Sequence, residues 1–199
     1  MTEQDYSEAA RHLRSDGKLE TAASYYTSAA HGYLMKFKKV DSEDHGEISP
    51  YKFGHFAIYM LLGSLCYRIT GERHRCRTNC EIGILVTKDI REHEQTFQKP
   101  THEPRTGLCY ELIGDFQLVG EIGSYENAYH RAEQYYETVD NPHQWSVEPE
   151  FEIQMIVLLE LADSIDYKIS DSEKRIYATS HSSTESNTNA ITSNRFSIR

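Results

Sequence analysis

The sequence predicts an all-α fold, a stack of antiparallel helical hairpins with about seven helices. Three observations carry that prediction. Gly17, Gly71 and Gly123 each separate two segments with helical apolar periodicity. The residues flanking the three glycines fall in one register. The segments also open and close on helix start and stop signals.

Eleven residues before the glycines lie Tyr6, Met60 and Leu112, and seven before lie Ala10, Ser64 and Phe116. Four before are Leu13, Tyr67 and Val119. Five after come Ala22, Cys76 and Ala128, followed along the same stripe by Tyr26, Cys80 and Ala132, then Ala29, Gly83 and Tyr135. Steps of three and four place each set on one face of a helix. Small residues after the turn let two helix axes approach, and larger ones fill the space beside them. Glycine takes a left-handed conformation at little cost, which ends one helix and starts the next.

Taken in order, the first helix is expected over Glu3–Ser15, with Thr2 as its N-cap and Glu3 and Asp5 placing negative charge in its first turn. The second follows Gly17 to about Phe37, where Lys36, Lys38 and Lys39 suit a helix C-terminus. Asp41–Ser49 is polar and acidic and reads as a surface loop. Ser49-Pro50 starts the third helix, because a hydroxyl caps it and proline lacks only an N–H that the first turn does not use. That helix, Pro50–Thr70, is apolar nearly all round (Phe53, Phe56, Ile58, Met60, Leu61, Leu62, Leu65), so it must be covered on most sides and forms the centre of the core.

The fourth helix is expected over Glu72–Glu94, with Cys76, Cys80, Ile84 and Val86 facing inward, and Gln95–His102 is a second polar linker. The fifth begins within Thr101–Pro104 and ends near Gly120; the sixth spans Ser124–Thr138 and is stopped by Asp140-Asn141-Pro142. Trp145 precedes a seventh, Glu148–Asp166, whose apolar residues place it to cap the last exposed face of the stack. Residues 1–166 therefore form one helical domain. Residues 167–199, rich in Ser, Thr and Asn, are expected to be a disordered tail.

The register resembles that of tetratricopeptide-repeat proteins: a bulky residue, a small pair, an aromatic, the turn glycine, an alanine, an aromatic and another alanine. Tyr6, Ala9, Ala10, Leu13, Gly17, Ala22, Tyr26 and Ala29 match it best. The second copy has Gly63-Ser64 and Tyr67 but cysteines after its turn, and the third places Asp115-Phe116 at the small pair. The glycines stand 54 and then 52 residues apart, against a family period of about 34. The hairpins are therefore longer than the family's, more like the divergent repeats of SNAP-type adaptors. The resemblance implies a TPR-like right-handed superhelix.

It also implies that the first helix of each hairpin lines a concave groove receiving a peptide. Counted from the register, the groove positions include Gln4, Ser7, Arg11 and Arg14, then Leu61, Leu65 and Arg68, then Tyr110, Ile113 and Gln117. The binding residues expected among them are Arg11, Arg14, Leu61, Leu65, Arg68, Tyr110 and Gln117. Arginine forks onto carboxylates with two hydrogen bonds, which suits an acidic segment or a free C-terminus. The competing reading is that Arg14 and Arg68 complement the negative ends of their own helices.

Composition narrows the partners. The net charge is −10, and the acidic excess lies ahead of the tail, which argues against nucleic acid or anionic lipid as ligand. No apolar run is long enough to span a membrane, and the opening MTEQDYSEAA is no signal peptide. A cytoplasmic protein with reduced cysteines follows as the expectation.

The chemistry-bearing residues have structural readings. Cys76 and Cys80, near His74, occupy small-residue positions of the register and lack zinc-knuckle spacing. Glu126/His130 and Asp89/His93 have the spacing of ordinary helix-surface pairs, not the Glu-x-x-His of a di-metal bundle. No nucleophile elbow or phosphate loop is present. No catalytic residue, metal or cofactor is expected. The function expected is an adaptor that binds a protein or peptide. The alternatives are a self-assembling homodimer pairing through the third or seventh helix, and a sensor or enzyme with a pocket in the bundle.

Overall fold

A computed structural model of the chain describes residues 1–41, 50–97 and 102–138. The fold is all-α. Among the described residues there are six helices and no strand: α1 (Glu3–Ser15), α2 (Leu19–Asp41), α3 (Pro50–Ile69), α4 (Arg73–Phe97), α5 (His102–Gly120) and α6 (Tyr125–Tyr136). The expected seventh helix, the tail, residues 42–49 of the first linker and residues 98–101 of the second lie outside the described residues.

Thr2 caps α1 reciprocally. The Asp5 amide donates to Thr2 Oγ1 at 3.2 Å and the Thr2 amide donates to Asp5 Oδ2 at 2.7 Å. At the other end of α1, Gly17 (φ 75°) donates its amide to the Arg14 carbonyl and the Lys18 amide to the Leu13 carbonyl. Gly71 (φ 84°) repeats this pattern, with amides of Gly71 and Glu72 reaching the carbonyls of Arg68 and Tyr67. Both are Schellman closures, which satisfy the last carbonyls of a helix through a left-handed residue.

The third elbow differs. Its closing bonds run from the amides of Glu121 and Ile122 to the carbonyls of Leu118 and Gln117, so the left-handed residue after the helix is Glu121 (φ 53°). Gly123 (φ 68°) follows as a second left-handed residue inside the turn. Glycine carries no Cβ penalty, so the sequence places the closing role at Gly123; in the structure a glutamate takes it, with its carboxylate paired to Arg68 of α3.

Each helix packs on its chain neighbours, and α3 also touches α5. The stripe read from the sequence is largely the packed face. Ala10, Ala22, Tyr26, Ala29, Met60, Ser64, Tyr67, Cys76, Cys80, Leu112, Phe116, Val119, Ala128 and Ala132 are all buried. Helix α3 is buried continuously from Phe53 to Tyr67, as an apolar circumference requires. Gly63 brings it against α2, where any added Cβ would meet Thr27 Oγ1 at 2.8 Å. The α2–α3 seam carries stacked rings, Tyr26 on Tyr59 and Tyr33 on Tyr59, with His55 beside Tyr33.

Helices α2 and α4 each run three or four residues beyond their expected ends. Lys38 and Lys39 after Phe37, and Gln95 after Glu94, are helix formers, and no glycine or proline intervenes to stop either helix.

Candidate functional site

A cleft of about 670 Å³ lies between α4 and α6, with α5 as its floor. From α4 it takes Lys88 and Arg91, one turn apart on one face. From α6 it takes Asn127, His130, Arg131 and Gln134, again at steps of three and four. The floor is Tyr110, Ile113 and Gln117. Ser124, just ahead of α6, closes one end. Among the described residues no aspartate or glutamate lines the cleft, although the chain carries a net charge of −10.

Both arginines lean onto one ring. The Arg91 guanidinium carbon lies 4.9 Å from the centroid of Tyr110 and that of Arg131 lies 5.5 Å from it, both within cation–π range. Arg131 Nη1 also donates to the Tyr110 hydroxyl at 3.3 Å. Tyr135 stacks on the same ring at 5.7 Å. The contacts order the long stems of both arginines and leave most of their donors uncommitted. Arg91 Nε is buried with no hydrogen-bond partner, and so is Gln117 Oε1.

Among the described residues three carboxylates stand next to the lining: Glu126 accepts from Ser124 Oγ at 2.8 Å, and the other two hold loosely. Glu92 is 3.6 Å from Arg91 Nη2, and Glu133 is 3.8 Å from His130 Nδ1. Among the described residues no carboxylate pairs with Lys88 or Arg131.

Of the expected binding residues, the structure brings Tyr110 and Gln117 into this cleft, with Ile113 between them. The others are elsewhere. Leu61 and Leu65 are each 1% exposed and belong to the core, a correction with a plain cause: a helix apolar on every side has no face to give to a groove. Arg11 is exposed on α1, as is Gln4, while Ser7 is buried and donates to the Gln4 carbonyl. Arg14 turns inward, where its charge faces the Tyr26 hydroxyl and the Cys66 thiol.

Arg68 lies in the last turn of its own helix, but its guanidinium is engaged elsewhere. Its Nη1 donates to the carbonyls of Leu118 (3.0 Å) and Val119 (2.6 Å), and its Nη2 pairs with Glu121 at 2.9 Å. It therefore ties α3 to the C-terminal end of α5, where partial negative charge collects. Replacing Arg68 with alanine is expected to cost about 2 kcal/mol, since it strands carbonyls served by a charged donor. Urea denaturation measures this. Lysine, with no fork, should recover less than half of the loss.

The cysteines behave as core residues. All four are buried and none is in a disulfide. Burial pushes the Cys66 thiol up to about 12, and the hydrogen bond that Cys80 donates to Cys76, together with burial, raises Cys80 above the ordinary thiol range. An added Cβ at Gly120 would meet Cys80 Cβ at 2.7 Å, which accounts for a small side chain at that position. Among the described residues no three His, Cys, Asp or Glu side chains converge as a metal site would require. None of the described helices is long and apolar enough to cross a membrane.

Sequence reasoning missed Lys88, Arg91, His130 and Arg131. The signal present was the pairing of Lys88 with Arg91 on one face of α4, but nothing in the sequence says which face of α6 meets it across α5. No family model matches this chain, and neither any curated protein nor any solved structure is similar to it.

Proposed function

We propose that this chain is a cytoplasmic protein-interaction adaptor whose α4–α5–α6 cleft receives a peptide or a segment of another protein. The stacking of its hairpins as a TPR-like right-handed superhelix is part of the same reading. One observation carries it: a walled cleft on packed helices whose polar lining holds two buried atoms, Arg91 Nε and Gln117 Oε1, without a hydrogen-bond partner. Such a surface is ordered before its ligand arrives, so little conformational entropy is lost on association. The buried thiols and the absence of a nucleophile–base pair in the cleft lining give no comparable support to a catalytic role.

A photo-crosslinking amino acid placed at Asn127, inside the cleft, tests this in living cells. It is expected to capture a discrete protein partner that the same group at Arg11, exposed on α1, does not. Equal capture at both positions, or none at Asn127, would remove the cleft as the receiving surface.

A further inference from the structure

We propose that the cleft recognises an acidic peptide segment, with side-chain carboxylates seated on Arg91 and Arg131 above Tyr110. The inference deepens the adaptor reading and rests on it. It also departs from the expected site: the cleft lies between the second helices of two successive hairpins, not along the first helices.

Charge gives the first argument. Arg91 and Arg131 gather around one ring and Lys88 lies one turn from Arg91, with no carboxylate among the described lining residues. Among the described residues the three cations face one loose carboxylate, Glu92 at 3.6 Å from Arg91, and an anionic ligand relieves their mutual repulsion. The acidic body repels a polyanion at long range, but that field decays over about 8–10 Å in physiological salt. A short acidic segment docked in the cleft is therefore governed by the local cations. A long phosphate backbone would also run across the surrounding acidic surface.

Hydrogen-bond sense gives the second argument. The arginine forks supply donors only, which suits carboxylates. Gln117 Oε1 supplies an acceptor that lacks a donor, and Asn127 offers both kinds, whereas Ser124 already donates to Glu126 and Gln134 is paired with His130. A bare anion has acceptors alone. A peptide backbone brings N–H donors alongside its carboxylates and so matches both halves of the lining. Arg91, with its side chain 16% exposed, is ordered before binding, so its fork is already in place.

Fluorescence anisotropy with the full chain and a labelled peptide of alternating Glu and Gly tests the assignment, against a control carrying Gln for every Glu. The acidic peptide is expected to bind at least about tenfold more tightly than the control, the difference between charged and neutral hydrogen bonds. Arg91→Gln and Arg131→Gln should each abolish most of that preference. Lys88→Glu, at an exposed position, should do the same without touching the Tyr110 stack. Circular dichroism melts of the variants confirm that each remains folded.

Equal binding of the two peptides would overturn the inference, and so would preference for a single-stranded oligonucleotide of equal charge or equal affinity for a small dicarboxylate. If the acidic preference fails while crosslinking at Asn127 still captures a partner, only this inference falls. If crosslinking also fails, the adaptor reading falls with it.

Discussion

Replacing Gly83 with valine is expected to destabilise the protein by roughly 3 kcal/mol, near the upper end of core overpacking. Gly83 lies inside α4 and faces α5, where a Cβ would stand 2.4 Å from Cε1 and 2.5 Å from Cζ of Phe116. Two effects oppose each other at this position. Helix propensity favours almost any residue over glycine, by about 1 kcal/mol for alanine. Packing disfavours any side chain, because the Phe116 ring is 0% exposed and has no open space to swing into. The steric effect is larger, so even Gly83→Ala should be destabilising.

Equilibrium urea denaturation gives the sign directly. The double substitution of Gly83→Ala with Phe116→Leu should recover part of the loss, since the smaller side chain vacates the space the new methyl needs. A stabilised Gly83→Ala protein would mean that α4 and α5 do not approach as closely as described.

The same contact shows what the sequence discloses and what it withholds. Gly83 sat in the predicted register as a small residue after the second turn, so a close helix approach was legible there. Gly17 and Gly71 were legible as elbows because their left-handed backbone is a local property of a few residues. The third elbow does hold a left-handed Gly123, but the residue that closes α5 is Glu121, whose carboxylate pairs with Arg68 from a distant part of the chain. Arg68 itself was placed on a groove by counting along its helix, but its reach carries the guanidinium across to the end of α5. The cleft was half legible. Tyr110 and Gln117 followed from periodicity within one helix, whereas Lys88, Arg91 and Arg131 depend on how three helices are rotated against one another. Periodicity fixes which residues share a face; it does not fix which charged faces meet.

Stability should fall as pH rises from about 4.5 to about 7, and a single carboxyl accounts for about 3 kcal/mol of that fall. Glu111 is buried on α5, and burial pushes its carboxyl up to about 7, against an ordinary value of 4.5. The Tyr136 hydroxyl, donating to Oε2 at 2.5 Å from α6, acts in the opposite direction and favours the ionised form. Below pH 4.5 both folded and unfolded chains hold the proton, and no penalty arises. Between 4.5 and 7 the unfolded chain releases it while the folded chain retains it, so raising the pH favours unfolding. Above 7 both are ionised and the penalty is constant.

Glu111→Gln keeps the shape and an oxygen for Tyr136 but cannot ionise. Its stability should match the parent near pH 4.5 and exceed it at pH 8 by up to about 3 kcal/mol. The quantity to read is the difference between parent and variant, in which the contributions of all other groups cancel. Tyr136→Phe removes the donor that favours the carboxylate, and it should move the upper end of the window to higher pH. A parent-minus-variant difference that stays flat from pH 4.5 to 8 would place the Glu111 carboxyl in water and undo the packing of α6 on α5. That packing also sets one wall of the cleft, because Tyr135, adjacent to Tyr136, stacks on Tyr110.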